Sequence, residues 1–506
     1  MSSKEEFIQE IKSSYSYKGD KIILGKAKLD GEVLPEAEIS IALKTMNRHG
    51  LIAGATGTGK TKTLQILAEQ LSLKGVPSLL MDIKGDLSGI AASGNPDDKA
   101  IQERQNLIGE NYTAAGSPTE LLSLSGENGA RLRATVTEFG PILFSKILEL
   151  NETQSSIISI IFKYCDDKNL PLIDLEDFRK VLQYVSENPE GKQELNSTYG
   201  TIAPASLGAI LRKIVALEQQ GATQFFGEPS FEVSDLMKTR DGKGVVNVIR
   251  LTDIQNKPNL FSTFMLSLLA EVYETLPESG DGDKPKLVIF IDEAHLIFKE
   301  ASKSLLDQIE TMVKLIRSKG VGLYFCTQVP GDVPDAVLSQ LGLKIQHALR
   351  GFTAKDRKQI EKAVENYPIS NYYKADEVIT QLGIGEAFVT ALNEKGIPTP
   401  LAQTYMRAPN SRMDILNDAE INSILNQSEL VQKYANDIDR DSAFEILSDK
   451  MNRASEIPTQ PKRSPGRPKQ EKSTLETILT DSTTKSFIRT AGNLIIRGLF
   501  GKLMKK

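Results

Sequence analysis

Apolar residues in this chain recur in two patterns, and the change from one to the other marks its organisation. Near-continuous apolar runs, the pattern of strands buried on both faces, lie at 49–55, 78–83, 245–251, 287–293, 321–328, 345–349 and 387–391. Three- and four-residue spacing predicts helices over 60–74, 260–275 and 305–318. This alternation predicts an α/β fold with a mainly parallel sheet covered on both faces. Up to residue 46, short alternating runs at 21–25 and 38–43, broken by Asp30-Gly31 and Pro35, predict a β-rich N-terminal section. From 97 to 243 the spacing turns helical, with stripes at 144–164, 175–185 and 207–217, which predicts a helical insertion. The sheet domain is thereby expected in two parts, 47–96 and 244–406. A helical segment follows at 407–452, then a Pro-, Lys- and Arg-rich linker at 453–484, then a helix at 485–506.

Composition changes this picture little until charge is mapped along the chain. Hydrophobic residues at 40% and charged residues at 25% describe an ordinary globular protein. Cys165 and Cys326 lie inside apolar runs without metal or disulfide spacing, which predicts a reducing, cytoplasmic setting. No stretch approaches the roughly 18 apolar residues that read as a membrane span, and no leader is evident, so a protein neither exported nor membrane-spanning is expected. The net charge of −5 is unevenly spread: residues 457–506 hold 11 Lys and Arg against 3 Asp and Glu, leaving 50 basic against 63 acidic before them. The body is acidic and the tail basic, so any polyanion contact must be local. Within the tail, Ile488, Ala491, Ile495, Leu499 and Leu503 form one apolar stripe, with six basic and no acidic residues from Lys485 to Lys506. Such a helix suits an anionic membrane surface or an acidic groove on a partner; the alternative is a helix packed back on its own acidic body. Pro461-Lys462-Arg463-Ser464-Pro465-Gly466-Arg467-Pro468-Lys469 reads as a flexible basic linker or as an AT-hook-like minor-groove element.

The chemistry begins at Gly54-Ala55-Thr56-Gly57-Thr58-Gly59-Lys60-Thr61, a glycine-rich phosphate loop between a strand and a helix. Its glycines let backbone N–H groups point around a phosphate, and the helix N-terminus adds its positive dipole end. Lys60 is expected on the β and γ phosphates, the Thr61 hydroxyl on magnesium, and Lys62 at the start of the helix beside them. ATP and Mg2+ are therefore the expected cofactors. Leu287-Val288-Ile289-Phe290-Ile291 then delivers Asp292 and Glu293 at a strand's carboxyl end, where open α/β sheets place their ligands. Asp292 is expected to steady the magnesium shell and Glu293 to orient and deprotonate the attacking water. Gln328 ends the next strand as a candidate γ-phosphate sensor. Arg317 and Arg350 are alternative candidates for an arginine finger. The Asp82-Ile83-Lys84-Gly85-Asp86 turn either lines the site or is a polar strand-to-loop turn. With His49, His295 and His347 as the only histidines, no zinc cluster is expected.

These residues resemble the HerA-like branch of the HerA and FtsK hexameric ATPases, and within it a bacterial group of the YjgR type. The likeness is carried by Asn47-Arg48-His49-Gly50-Leu51-Ile52-Ala53 running into the phosphate loop, and by Asp82-Ile83-Lys84-Gly85-Asp86-Leu87-Ser88-Gly89. It continues in Phe225-Phe226-Gly227-Glu228-Pro229, in 290–297, in Thr327-Gln328-Val329-Pro330-Gly331-Asp332-Val333-Pro334 and in Asp439-Arg440-Asp441-Ser442-Ala443-Phe444-Glu445. The resemblance implies a RecA-like P-loop NTPase core, a hexameric ring with ATP between subunits, and passage of DNA through the ring. Two departures are visible: Ile316-Arg317-Ser318-Lys319-Gly320 lacks the Gly-Arg that the branch tends to carry there, and the N-terminal section is short for a capping β-barrel. The leading expectation is an ATP-driven motor that translocates or remodels DNA. The alternatives are an ATP-dependent remodeller of protein or membrane-associated partners, and a nucleotide-gated scaffold.

Overall fold

A computed structural model describes residues 3–124, 128–254, 257–280, 282–300, 303–351, 353–436, 438 and 440–456. The linker beyond 456 and the basic helix expected at 485–506 lie outside the described residues. The described residues form a sheet unit, within 3–133, 220–225 and 229–436, and a smaller helical unit, within 134–219, 226–228 and 438–456.

The sheet unit is built on twelve strands: β1 (Lys21–Leu29), β2 (Glu32–Ala42), β3 (Gly50–Ala53), β4 (Ser78–Asp82), β5 (Thr119–Ser123), β6 (Ala130–Arg131), β7 (Val246–Arg250), β8 (Leu287–Ile291), β9 (Val321–Thr327), β10 (Leu343–His347), β11 (Glu386–Thr390) and β12 (Ala402–Met406). Their order across the sheet is β2-β1-β12-β11-β10-β3-β9-β8-β4-β7-β5-β6. From β10 to β6 all neighbours run parallel. In β3, β4, β8 and β9 every residue is buried, as strands covered on both faces require. Helix Lys60–Leu73 contributes Leu64, Leu67, Ala68 and Leu71 to a core that also holds Ile52, Val288, Phe290 and Tyr324.

Beyond β10 the sheet turns antiparallel. β11, β12, β1 and β2 pair in succession, with Gly25 of β1 opposite Met406 of β12. The β-rich section expected up to residue 46 is therefore the edge of the main sheet, and the sheet is mainly parallel as expected, with antiparallel pairing from β10 outward to β2. A helix at Ser3–Ser14, not expected from the sequence, buries Phe7 and Ile11; Phe7 meets Tyr372 and Tyr373 edge-on, with ring centroids 4.9 and 5.8 Å away.

The insertion is narrower than 97–243. Residues 119–131 carry β5 and β6 of the sheet, and the helical unit begins at Ala134. Its helices are Val136–Ile147, Glu152–Lys168, Leu175–Glu187, Pro189–Tyr199, Pro204–Gln219 and Ala443–Glu456. Phe144, Phe162 and Phe178 pack on one another at its core, with centroids 4.9–5.9 Å apart. The segment expected as one helical piece at 407–452 is divided: Asp418–Gln427 and Glu429–Tyr434 belong to the sheet unit, Ala443–Glu456 to the helical unit. Among the described residues no single helix is long and apolar enough to cross a membrane.

Candidate nucleotide site

β3 is central, between β9 and β10, and its carboxyl end runs directly into the phosphate loop. Gly54 at φ 154° has no room for a side chain: a Cβ there would lie 2.5 Å from Cβ of His347. Gly59 adopts φ 115° and starts helix Lys60–Leu73 with no side chain capping it. Several helices elsewhere are capped by a side chain, such as Asp98, Thr135 and Asn151. The first-turn N–H groups after Gly59 are thus left for an anion, reinforced by the helix dipole.

Lys60 is buried and folds over the loop, donating from Nζ to the carbonyls of Gly54 (2.7 Å) and Ala55 (3.1 Å). Burial, and then the charge of Lys84, push its ammonium below the ordinary lysine value. Thr61 donates from Oγ1 to Oδ2 of Asp86 at 3.3 Å. Lys62 donates to the carbonyl of Met413, away from the loop. His347, at the end of β10, braces the loop from behind. Its Nε2 is 2.9 Å from Thr63 Oγ1, and its Nδ1 is 2.9 Å from the Glu386 carbonyl. Burial pushes its pKa down to about 4, so it is a neutral brace and not a charge.

The carboxylates arrive from β8, separated from β3 by β9 alone. Asp292 is buried, and its Oδ2 has no hydrogen-bond partner among the described residues. Burial, then the charge of Glu293, push its carboxyl up to about 7 against the pull of Lys84. Glu293 holds a left-handed backbone at φ 47°, a conformation that costs a non-glycine residue about 1–2 kcal/mol. Its carboxylate forms an ion pair with Lys84 and lies 3.1 Å from Nδ1 of His295. Strain at such a position marks a residue held for a purpose.

The turn after β4 also belongs to the site. Asp82 accepts from the backbone N–H of Gly85, Asp86 and Leu87 at 2.7–3.1 Å, so it is the structural member of the turn and not a free ligand. Burial pushes it up to about 6 despite those donors. Lys84 and Asp86 are the members that meet Glu293 and Thr61. Of the two readings the sequence offers for this turn, the structure favours the one in which it lines the site, through its position at the carboxyl end of a strand that neighbours β8.

Gln328 directly follows β9 and is exposed, at the sheet edge between the loop and the carboxylates. Arg350 lies beyond β10 on the other side of the loop, its Nη1 on the Thr380 carbonyl at 2.8 Å. Arg317 precedes β9 at its amino end. It lies at the opposite edge of the sheet, beside His49, and is not brought to the loop of its own chain.

The residues fit a magnesium ion: a hydroxyl on Thr61, the orphaned oxygen of Asp292 and an equally orphaned Oδ1 on Asp86. All are oxygen donors, which suits a hard cation.

Two archaeal proteins, each described as DNA double-strand break repair helicase HerA, are similar to this chain. That of Sulfolobus acidocaldarius is 19% identical over 345 residues, 68% of this chain and 63% of the relative. That of Saccharolobus solfataricus is 20% identical over 384 residues, 75% of this chain and 68% of the relative. The chain thus spans about two thirds of the length of these relatives. Among solved structures, plasmid coupling protein TrwB in complex with ADP and Mg2+ matches with a TM-score of 0.51 at 14% identity, covering 81% of this chain and 94% of that one. This likeness shows the fold, a P-loop NTPase sheet extended by helices. The family model described as Helicase HerA-like C-terminal matches residues 28–471, a span that contains the phosphate loop, the carboxylate strand and Gln328. With loop, carboxylates and sheet order in agreement with that match, the chain belongs to the HerA-like helicase C-terminal family.

Proposed function

We propose that this chain is an ATP-hydrolysing motor of the HerA type that acts on DNA. The observation that carries it is the uncapped helix N-terminus at Gly59, with Lys60 above it and Asp292 and Glu293 one strand away. The β and γ phosphates of ATP fit the loop, where Lys60 exchanges the carbonyls of Gly54 and Ala55 for phosphate oxygens. Thr61, Asp292 and Asp86 would hold a magnesium ion, which would supply neutralisation of phosphate charge. Glu293 orients a water and takes its proton. The water oxygen bonds to the γ phosphorus as the bond to the β–γ bridging oxygen breaks, leaving ADP and phosphate. Gln328 orients the terminal phosphate.

DNA as the polymer is supported by the names of the HerA relatives. A hexameric ring is supported by the family resemblance and by Arg317, which lies away from the loop of its own chain and so suits a neighbouring copy's site. A cytoplasmic setting and kinship with the YjgR-type group within the family belong to the same proposal.

Two variants test the role assignment. Lys60→Ala is expected to abolish tight ATP binding, whereas Glu293→Gln keeps binding and stops turnover. Equal loss of nucleotide affinity in both overturns it. Duplex DNA is expected to stimulate hydrolysis with a steep salt dependence; salt-independent or absent stimulation points to a protein or membrane-associated partner.

A further inference from the structure

Lys84 has no part in the roles assigned above, yet it meets the proposed general base. Its position is imposed from behind. Asp82 gathers the N–H groups of Gly85, Asp86 and Leu87, and Gly85 at φ 78° turns the chain, so the turn is rigid where Lys84 leaves it. β4 neighbours β8, and the Lys84 ammonium thereby reaches Glu293. The partners are unequally placed: 7% of the Glu293 side chain is exposed against 38% of Lys84. A carboxylate so enclosed needs a counter-charge, and Asp292 and Asp86 nearby add to the demand. Lys84 supplies it, a cation held at the mouth of the site by its ion pair with Glu293.

We propose that Lys84 is a positioning residue that reports the terminal phosphate. In the empty site it engages Glu293; when ATP binds, its ammonium transfers to the γ phosphate and frees Glu293 to accept the proton of the attacking water. The inference rests on the ATPase reading above. Charge favours the transfer, because a terminal phosphate offers three oxygens and more negative charge than one carboxylate. Lys60, parked on the carbonyls of Gly54 and Ala55, is a second ammonium awaiting phosphate. ADP has no γ phosphate and leaves the Lys84–Glu293 pair closed, so the device distinguishes the two nucleotides.

The test is a double-mutant cycle on the full chain, read in binding and not in turnover. Affinities for magnesium complexes of ADP and of a non-hydrolysable ATP analogue are measured by calorimetry for the unaltered protein, Lys84→Met, Glu293→Gln and the double variant. Removing the competing carboxylate in Glu293→Gln is expected to tighten the analogue by roughly threefold or more and leave ADP unchanged. Lys84→Met is expected to weaken the analogue by roughly tenfold without affecting ADP, and Glu293→Gln then no longer tightens it. Lys84→Arg, which keeps the charge, is expected to retain most of the discrimination. Should Lys84→Met unfold because Glu293 is stranded, the double variant, which has no carboxylate there, is compared with Glu293→Gln alone. Equal loss of ADP and analogue on removing Lys84, or an effect of Glu293→Gln that is the same in both backgrounds, overturns the inference while the ATPase reading stands. Failure of the unaltered protein to bind or hydrolyse ATP overturns both.

Discussion

Asp292 shows what burying a carboxyl beside a second carboxylate does to the folded chain. Its carboxyl is pushed up to about 7 by burial and by Glu293, so the folded chain keeps a proton that the unfolded chain releases near 3.8. Between those two pH values the folded state binds more protons, so stability falls as pH rises and the penalty is complete above about 7. Asp82, at about 6, adds a smaller slope of the same sign. Asp292→Asn is therefore expected to raise the nucleotide-free melting temperature at pH 8 but not at pH 4, by about 2–4 °C for each kcal/mol relieved. Thermal melts across that range check it; a difference that is the same at both pH values rules out the proton account. The same variant is expected to lose stabilisation by magnesium and nucleotide. Of these site residues, those with a chemical signature in their own segment were legible from the sequence: the loop, Lys60, Thr61, and the carboxylates after an apolar run. The turn with Lys84 and Asp86 was legible only as one of two readings, because a polar turn after a strand looks the same whether it faces solvent or a buried carboxylate.

At the level of elements, the helix after the phosphate loop is fixed at its far side by a buried carboxylate. Glu69 accepts from the backbone N–H of Asn410 at 2.8 Å and of Ser411 at 3.1 Å, and from Ser411 Oγ at 2.8 Å. Burial raises its carboxyl above the ordinary glutamate value, against those hydrogen bonds. The helix and the chain leaving β12 are thereby locked together. Glu69→Ala leaves two backbone donors without an acceptor and is expected to cost about 1–3 kcal/mol for each that stays dry. Denaturant unfolding measures the loss; a change within about 0.5 kcal/mol, the range of ordinary surface substitutions, shows that water takes over those donors. Periodicity predicted this helix well, since its apolar stripe faces the sheet. It missed β5 and β12, where buried polar residues such as Glu120, Gln403 and Thr404 break the apolar run, and it missed Ser3–Ser14, where Phe7 and Ile11 alone mark the buried face.

At the level of the whole molecule, an acidic body carries a basic tail that the proposed chemistry does not use. Deleting residues 485–506 is expected to leave ATP hydrolysis nearly unchanged and to remove binding to anionic vesicles, each basic residue contributing about 1 kcal/mol near such a surface. Vesicle co-sedimentation and an ATPase assay check both halves; loss of hydrolysis would place the tail in the fold of the motor. The sequence by itself determined the α/β class, the phosphate loop and the strand that bears Asp292 and Glu293, because each is written in residues adjacent along the chain. Tertiary structure decided which strands are neighbours. Pairing of β1 with β12 joins segments from opposite ends of the chain, and the placement of β9 between β3 and β8 sets Gln328 beside the loop while leaving Arg317 at the far edge. Sheet order depends on long-range pairing and on how buried faces match, and no local period of apolar residues records it.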